Sequence, residues 1–347
     1  MVDSIALDIG IPISCGGDPG PVGSVPMLHC SLIEGMGDNL PCARVYARHQ
    51  SAISMLLKCG TQKQKDAACL DSVAGMMTAF EVDGKLELNS DGMINGEIVV
   101  GGAGEKAITN LLVSVKNDDD EQLVLINKNK TGISIGESLD DFGKCIVSFE
   151  NVELEDEMVV PAENDTDYMA QVQSLIDYYH LLISAAQLGM LKRSFAAQLE
   201  IQSIKTMGNQ RMIKHDLVQS HMAKLQVPIY ALESTIYGVA GKYSWSAESL
   251  SSECLVVRSL ANESNSLLSK MSQFSGHLFL REPWTTRSSQ LNVLSRECST
   301  PTCHRLIGIR GFQVEGFILK FLSHSFIEPI FFYRKWVPKC SKINFEF

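Results

Sequence analysis

Apolar residues recur through the second half of the chain at steps of three and four. From Ser174 onward, Leu175, Tyr179, Leu182, Ala186 and Met190 fall on one helix face. A second run, Val218, Met222, Leu225, Ile229, Leu232, Ile236 and Val239, alternates steps of four and three without a break. A third, Leu250, Cys254, Val257, Ala261, Leu268 and Met271, keeps nearly the same rhythm. A period near 3.6 held over three long segments predicts amphipathic helices whose stripes bury one another in an antiparallel bundle. Pro228 lies inside the second helix and should kink it, because an interior proline removes a hydrogen bond. Lys205 to Arg211, with Gly208 and Asn209, reads as the connection between the first two helices.

Earlier in the chain the stripes are shorter. Pro26 to Leu57 is helical in pattern, with Leu28, Leu32, Ile33 and Met36 on one face and His49, Ile53, Leu56 and Leu57 on another. Gly60-Thr61 is a stop followed by a start, since glycine ends helices well and threonine caps them. A short helix over Lys63 to Ser72 then ends at Gly75. Past Met76 the period changes. Thr78–Val82, Lys85–Leu88, Ile94–Val100, Leu111–Val115, Gln122–Ile126 and Ile146–Phe149 are short and rich in β-branched or apolar residues. Asp83-Gly84, Asp91-Gly92, Asn95-Gly96 and Lys130-Thr131-Gly132 separate them as turn signals, so this is an all-β block between helical ones. Asn117 to Glu121 reads as a solvated hairpin tip, and Asp156 to Asp167 as a polar linker into the bundle.

Charge and cysteine usage narrow the picture. The 347 residues carry a formal net charge of −10, which disfavours nucleic acid, whose binders need a basic face. Ten cysteines are scattered without a CxxC pair, the pattern of reduced thiols. Cys298, Cys303 and His304 lack a fourth ligand, so no zinc site is expected. The first twenty residues lack the basic, apolar pattern of a signal peptide and are not Arg-rich like a transit segment. No apolar run is long enough to span a bilayer. After Arg281 prolines break the periodicity, aromatic residues cluster and Lys and Arg accumulate, so the tail does not fit the bundle pattern. A basic aromatic tail could touch lipid, and a loosely ordered extension is the plainer reading.

Local motifs add little chemistry. Gly132-Ile133-Ser134-Ile135-Gly136 spells GxSxG, but a nucleophile elbow needs a helix starting under the serine, and β-like sequence lies on both sides. The glycine-rich Gly10–Gly23 is read as a loop, because no GK[ST] follows to make it a phosphate loop.

Helical block, small β block and long antiparallel bundle follow one another as in the acyl-CoA dehydrogenases, and several stretches resemble that family. They include His49-Gln50-Ser51 with Gly60-Thr61-Gln62-Lys63, which is similar to the very-long-chain and complex I assembly branch. Thr78-Ala79-Phe80, Asn95-Gly96-Glu97, Phe149-Glu150-Asn151-Val152, Val160-Pro161, Gly189-Met190-Leu191-Lys192-Arg193 and Leu217-Val218-Gln219 continue the resemblance over about Asp8 to Glu282. It implies an α+β fold of four parts. These are an incomplete N-terminal helical domain over 1–76, a middle β-barrel-like domain over 77–162, an antiparallel helix bundle over 163–282 and an atypical tail over 283–347.

The resemblance also implies FAD, a fatty acyl-CoA substrate, mitochondrial fatty-acid β-oxidation and a homodimer through the bundle. A branch of the family implies the alternative, a non-catalytic scaffold or respiratory complex I assembly factor with inner-membrane contact. In the family a glutamate removes the proton α to the thioester carbonyl while the flavin takes the β hydride, which needs a carboxylate tuned by an apolar slot. Phe80, Val82 and Gly276 fall where the family contacts its flavin, and His180 where it has an arginine near the substrate. The departures are at the chemistry. Glu81-Val82-Asp83-Gly84 replaces the Thr-Glu-Pro loop, and Val100-Gly101-Gly102 the Trp-Ile-Thr run. Lys205-Thr206-Met207-Gly208 stands for Arg-x-Gln-Phe, and the Glu-Gly-Thr-Asn segment has no counterpart after Arg281. No catalytic base is therefore assigned. Glu233 and Glu263 on the bundle helices are the carboxylates that could be asked to replace it, and helix-surface roles are the simpler reading for both.

Overall fold

Capping residues fix the first helices. In the computed structural model of the chain, Pro26 occupies the first turn of α1 (Val25–Gly35), where its missing N–H costs nothing. The Asn39 side chain accepts the Cys42 N–H at the start of α2 (Leu40–Cys59). Thr61 and Gln64 close a reciprocal capping box on α3 (Gln62–Val73), the helix start that Gly60-Thr61 marks in the sequence. The structure describes residues 7–21, 23–100, 108–117, 120–138, 144–161, 168–245 and 250–279. For 83–85, 117, 120, 137–138, 244–245 and 267–279 only the backbone course is described. The tail after Arg281, with Cys298, Cys303 and His304, lies outside the described residues.

The β block is one six-stranded mixed sheet. Its strands are β1 (Met77–Leu88), β2 (Met93–Val100), β3 (Ile108–Asn117), β4 (Asp120–Asn127), β5 (Ile133–Ser138) and β6 (Cys145–Glu153), in the order β4-β3-β1-β2-β6-β5. Only β1 and β3 pair in parallel, with Phe80 opposite Leu112. These central strands are buried on both faces, which is why their sequence is nearly continuous in apolar residues. Ala79, Leu111, Val113 and Val115 enter the sheet's own core with Ile98, Val147 and Phe149. Phe80, Leu112 and Leu123 turn the other way, toward the helices.

Two turn readings need correction. Asp83-Gly84 does not reverse the chain: β1 runs through it, with a register shift against β3 between Glu81 and Leu86. Asn95-Gly96 likewise sits inside β2, where the register against β6 slips between Ile94 and Gly96 and Gly96 takes φ 134°. The same dipeptides that make hairpins also make bulges, and pairing partners far away decide which. The GxSxG stretch is β-like as its sequence suggests: Ile133–Ser138 is an edge strand, and Ser134 pairs with Ser148 of β6.

The bundle helices form where the stripes predict them. They are α4 (Tyr168–Ile204), α5 (Asp216–Trp245) and α6 (Ser251–Phe279). Leu175, Leu182, Ala186 and Met190 of α4 are buried, as are Leu225, Ile229, Leu232, Ile236 and Val239 of α5 and Cys254, Val257 and Ala261 of α6. Each fully buried Leu, Ile or Val contributes about 1.5–3 kcal/mol, so this face outweighs any local propensity. Pro228 is accommodated within α5. A small hairpin, β7 (Thr206–Met207) and β8 (Gln210–Arg211), joins α4 to α5 with Gly208 at φ 63°. α1 lies across α4 at glycine distance. A Cβ on Gly189 would stand 2.0 Å from the Glu34 carbonyl oxygen, and one on Gly37 would stand 2.6 Å from the Met190 nitrogen.

Candidate functional site

The seam between the sheet and the bundle is where the resemblance puts the chemistry, and three elements meet there. Strand alternation turns Phe80 of β1 toward the helices, α2 brings Arg48, and α4 brings Tyr179 and His180. Arg48 Nη1 donates to the Phe80 carbonyl at 2.6 Å and reaches Glu81 Oε2 at 3.4 Å. Its guanidinium lies 5.3 Å from the Phe80 ring centroid and 5.4 Å from that of Tyr179. The two rings themselves meet edge to face at 5.3 Å. Val82 is half-buried against the same cluster. A partly desolvated cation between two aromatic rings is worth about 1–2 kcal/mol. Sequence reading passes over Arg48, because its partners lie in other elements and no local pattern marks it.

His180 stands beside this clasp, its ring 5.8 Å from that of Tyr179. Burial, then the charge of Arg258, lowers its pKa to about 3, so it is neutral at pH 7. A neutral imidazole offers no permanent positive charge to a carboxylate or phosphate. Arg258, which adds to that lowering, is buried on α6. Gly276 falls on the last turns of α6, where only the helical course is described.

The candidate carboxylates are engaged. Lys192 Nζ of α4 donates to Glu233 Oε1 at 2.6 Å and to Glu34 Oε1 at 2.7 Å, and Tyr237 donates to Glu34 Oε2 at 2.7 Å. Burial pulls the Lys192 pKa down, but hydrogen bonds and charge from Glu233 and Glu34 outweigh it and hold it above the ordinary value. This cluster ties α1, α4 and α5 together. Glu263 is exposed on α6. Asp177 is the buried acid that sequence reading misses. It lies on α4, accepts from Gln173 Nε2 at 2.7 Å and from Ser251 Oγ, and burial raises its pKa despite both bonds. An acid flanked by Leu175, Tyr178 and Tyr179 on an apolar face is the signal that could have found it.

A second buried network lies behind the seam. His29 of α1 uses Nε2 to donate to the Ile9 carbonyl at 3.1 Å, so its Nδ1 accepts from the Tyr178 hydroxyl at 2.8 Å. Burial lowers its pKa to about 4. His49 of α2 accepts the Thr78 N–H on Nδ1 at 3.0 Å, and burial, then the charge of His29, lowers its pKa to about 3. Both imidazoles are structural pins between the helices and neighbouring chain.

Among the described residues, the positions that the resemblance assigns to the flavin do not form an open cradle for one. The Phe80 ring is covered by Arg48 and Tyr179, and its carbonyl is taken by Arg48. Lys205, which stands for the family's flavin-contacting arginine, sits at the base of the exposed β7–β8 hairpin. The concavity beside it, about 350 Å³, is polar and open, lined by Asn209, Gln210, Arg211 and Lys214. Pockets that hold ring systems are mostly apolar walls with a few polar groups, the reverse of this lining. Among the described residues no cluster of three or more His, Cys, Asp or Glu could hold a metal ion, and no helix is long and apolar enough to cross a membrane. Ser134 lies within β5, paired with Ser148 of β6, and the next described element is another strand rather than a helix. The glycine-rich loop packs on itself: a Cβ on Gly17 would lie 2.3 Å from that of Ile11.

No family model and no curated protein matches the chain. Solved structures do. Butyryl-CoA dehydrogenase from Megasphaera elsdenii superposes with a TM-score of 0.73 over 90% of this chain and 87% of that one, at 15% identity. An acyl-CoA dehydrogenase from Geobacillus kaustophilus gives 0.72 over 88% and 87%, at 12% identity. A glutaryl-coenzyme A dehydrogenase complex gives 0.69 over 84% and 78%, at 14% identity. With helical block, mixed sheet and bundle arranged in the same order, the chain has the acyl-CoA dehydrogenase-like fold.

Proposed function

We propose that this chain keeps the acyl-CoA dehydrogenase scaffold without its dehydrogenation chemistry and acts by contact with other proteins. One observation carries the reading. Among the described residues, each carboxylate on or against the bundle that could serve as a base is already bonded within the chain or stands exposed. Proton abstraction α to a thioester needs a carboxylate that is both apolar in setting and open to the substrate. Glu233 and Glu34 share Lys192, Asp177 is held by Gln173 and Ser251, and Glu263 faces water. The covered Phe80 ring and the absence of the family's flavin-binding segments from the sequence point the same way. The reading extends to a mitochondrial location, a homodimer through the bundle and a role in assembling a respiratory complex.

The experiment is a visible spectrum of the purified chain, before and after incubation with FAD, followed by a dye-reduction assay with short-, medium- and long-chain acyl-CoA. The expected protein is colourless, gains no flavin band after desalting, and reduces no dye. Near-stoichiometric flavin that acyl-CoA bleaches would overturn the proposal.

A second reading rests on Asp177. A retained FAD-dependent oxidation of fatty acyl-CoA in β-oxidation would ask Asp177 to serve as the base, because among the described bundle carboxylates it is the buried one whose pKa burial raises. In that case Asp177→Asn would abolish acyl-CoA bleaching while leaving bound flavin in place.

A further inference from the structure

The N-terminal loop and α3 bring two cysteines together. Cys15 ends a single 3-10 turn, Ile13–Cys15, and Gly16 follows it in the left-handed region at φ 84°. That turn packs on α3, where a Cβ on Gly16 would rest 3.8 Å from Val73. Cys69 is on the inward face of α3, buried with Ala68, Met55, Leu56 and Cys59, and Cys15 packs against that same cluster. Both are free thiols. The two side chains are within hydrogen-bonding reach, and burial first, then the charge and hydrogen bond of Cys15, pushes the Cys69 thiol up to about 11. Cys15 is partly open to solvent and Cys69 is not, so one thiol can meet a reagent while the other waits behind it.

We propose that Cys15 and Cys69 form a reactive dithiol that takes a low-molecular-weight disulfide and closes into an intrachain Cys15–Cys69 bond. The Cys15 thiolate attacks one sulfur of the reagent RSSR, forming a mixed disulfide and releasing one RS⁻. Cys69 gives its proton to solvent and attacks the Cys15 sulfur, expelling the second RS⁻. Both leaving thiolates take up a proton, so two protein thiols are oxidised and RSSR is reduced to two RSH. The elevated Cys69 pKa makes the second step slow near neutrality, because only the thiolate is a nucleophile.

The bond would tie the loop to α3. That loop is otherwise fastened by backbone pairing of Gly10 with Asp18, by His29 on the Ile9 carbonyl, and by Gln50 on the Leu7 carbonyl. Disulfides that close long stretches of chain stabilise most, so the oxidised form should melt about 5 °C or more higher.

The test treats the folded, reduced full chain with oxidised glutathione, followed by alkylation and peptide mass spectrometry. The expected product is one cross-linked peptide pair carrying Cys15 and Cys69. Its rate of formation should rise about tenfold per pH unit from pH 7 to 9. Phenylarsine oxide, which binds paired thiols, should block it at one equivalent. Cys15→Ser and, separately, Cys69→Ala should each remove the cross-link and the arsenical block, with circular dichroism confirming that both variants fold. A glutathione adduct that persists on Cys15 even at pH 9, or a cross-link between any other pair, would overturn the proposal.

Discussion

Three histidines of this chain are held neutral by burial, and each makes folding sensitive to acid. His29, His49 and His180 have folded pKa values of about 4, 3 and 3, below the ordinary 6.5. Below pH 6.5 the unfolded chain takes up protons at these sites while the folded chain does not. Stability therefore falls as pH drops from 6.5 toward 4, by at most about 1.4 kcal/mol per pH unit for each histidine. Urea titrations at pH 7, 6 and 5 should show the midpoint falling steeply, and His49→Gln should flatten that fall by about a third while costing stability at pH 7. At Arg48, Arg48→Met should cost about 2–4 kcal/mol in the same titrations, because the substitution loses a charge-assisted bond to Phe80 and two ring contacts together. None of these roles is legible in the sequence. Arg48 meets Phe80 and Tyr179, and His29 meets Tyr178, across distances in the chain that no local period connects. Phe80 shows the limit from the other side, since its strand is readable from β-branched and aromatic neighbours but what covers its ring is not.

Among the elements, the helices were the readable part. The stripes of α4, α5 and α6 follow from period alone, as does the α3 start from its capping residues, because both signals are local physics. The strands were less so. β1 reads as two strands split at Asp83-Gly84, and Asn95-Gly96 reads as a turn signal inside the Ile94–Val100 strand, because a turn-forming dipeptide and a bulge look alike until the partner strand is known. Glycine on the helices makes a sharper prediction. Gly189 has no room for a methyl group, since α1 backbone occupies the space. Gly238 on α5 has nothing within 4 Å of where a Cβ would go. Gly189→Ala should therefore destabilise by about 3 kcal/mol or more, and Gly238→Ala should stabilise by about 0.5–1 kcal/mol, both read as shifts in thermal midpoint.

At the scale of the whole molecule, sequence order sufficed for the architecture because the hydrophobic period changes from helical to strand-like past Met76 and back to helical at the bundle. What it could not show is how the blocks are fastened. α4 is the fastener. Its first turns, Val172 and Leu175, belong to the core shared with Phe80, Leu112 and Leu123 of the sheet. Its middle, Leu181 to Leu191, belongs to the core of the bundle. Thirty-seven residues make a rod of about 55 Å, and no break separates the two halves. Melting either core would strip one flank of a helix the other core needs. Calorimetry should accordingly show one endotherm for the described blocks, with van't Hoff and calorimetric enthalpies in agreement, where two separable bodies would give two. On the scaffold reading, that shared beam would be the part to keep, since a partner can only recognise a surface whose parts arrive together.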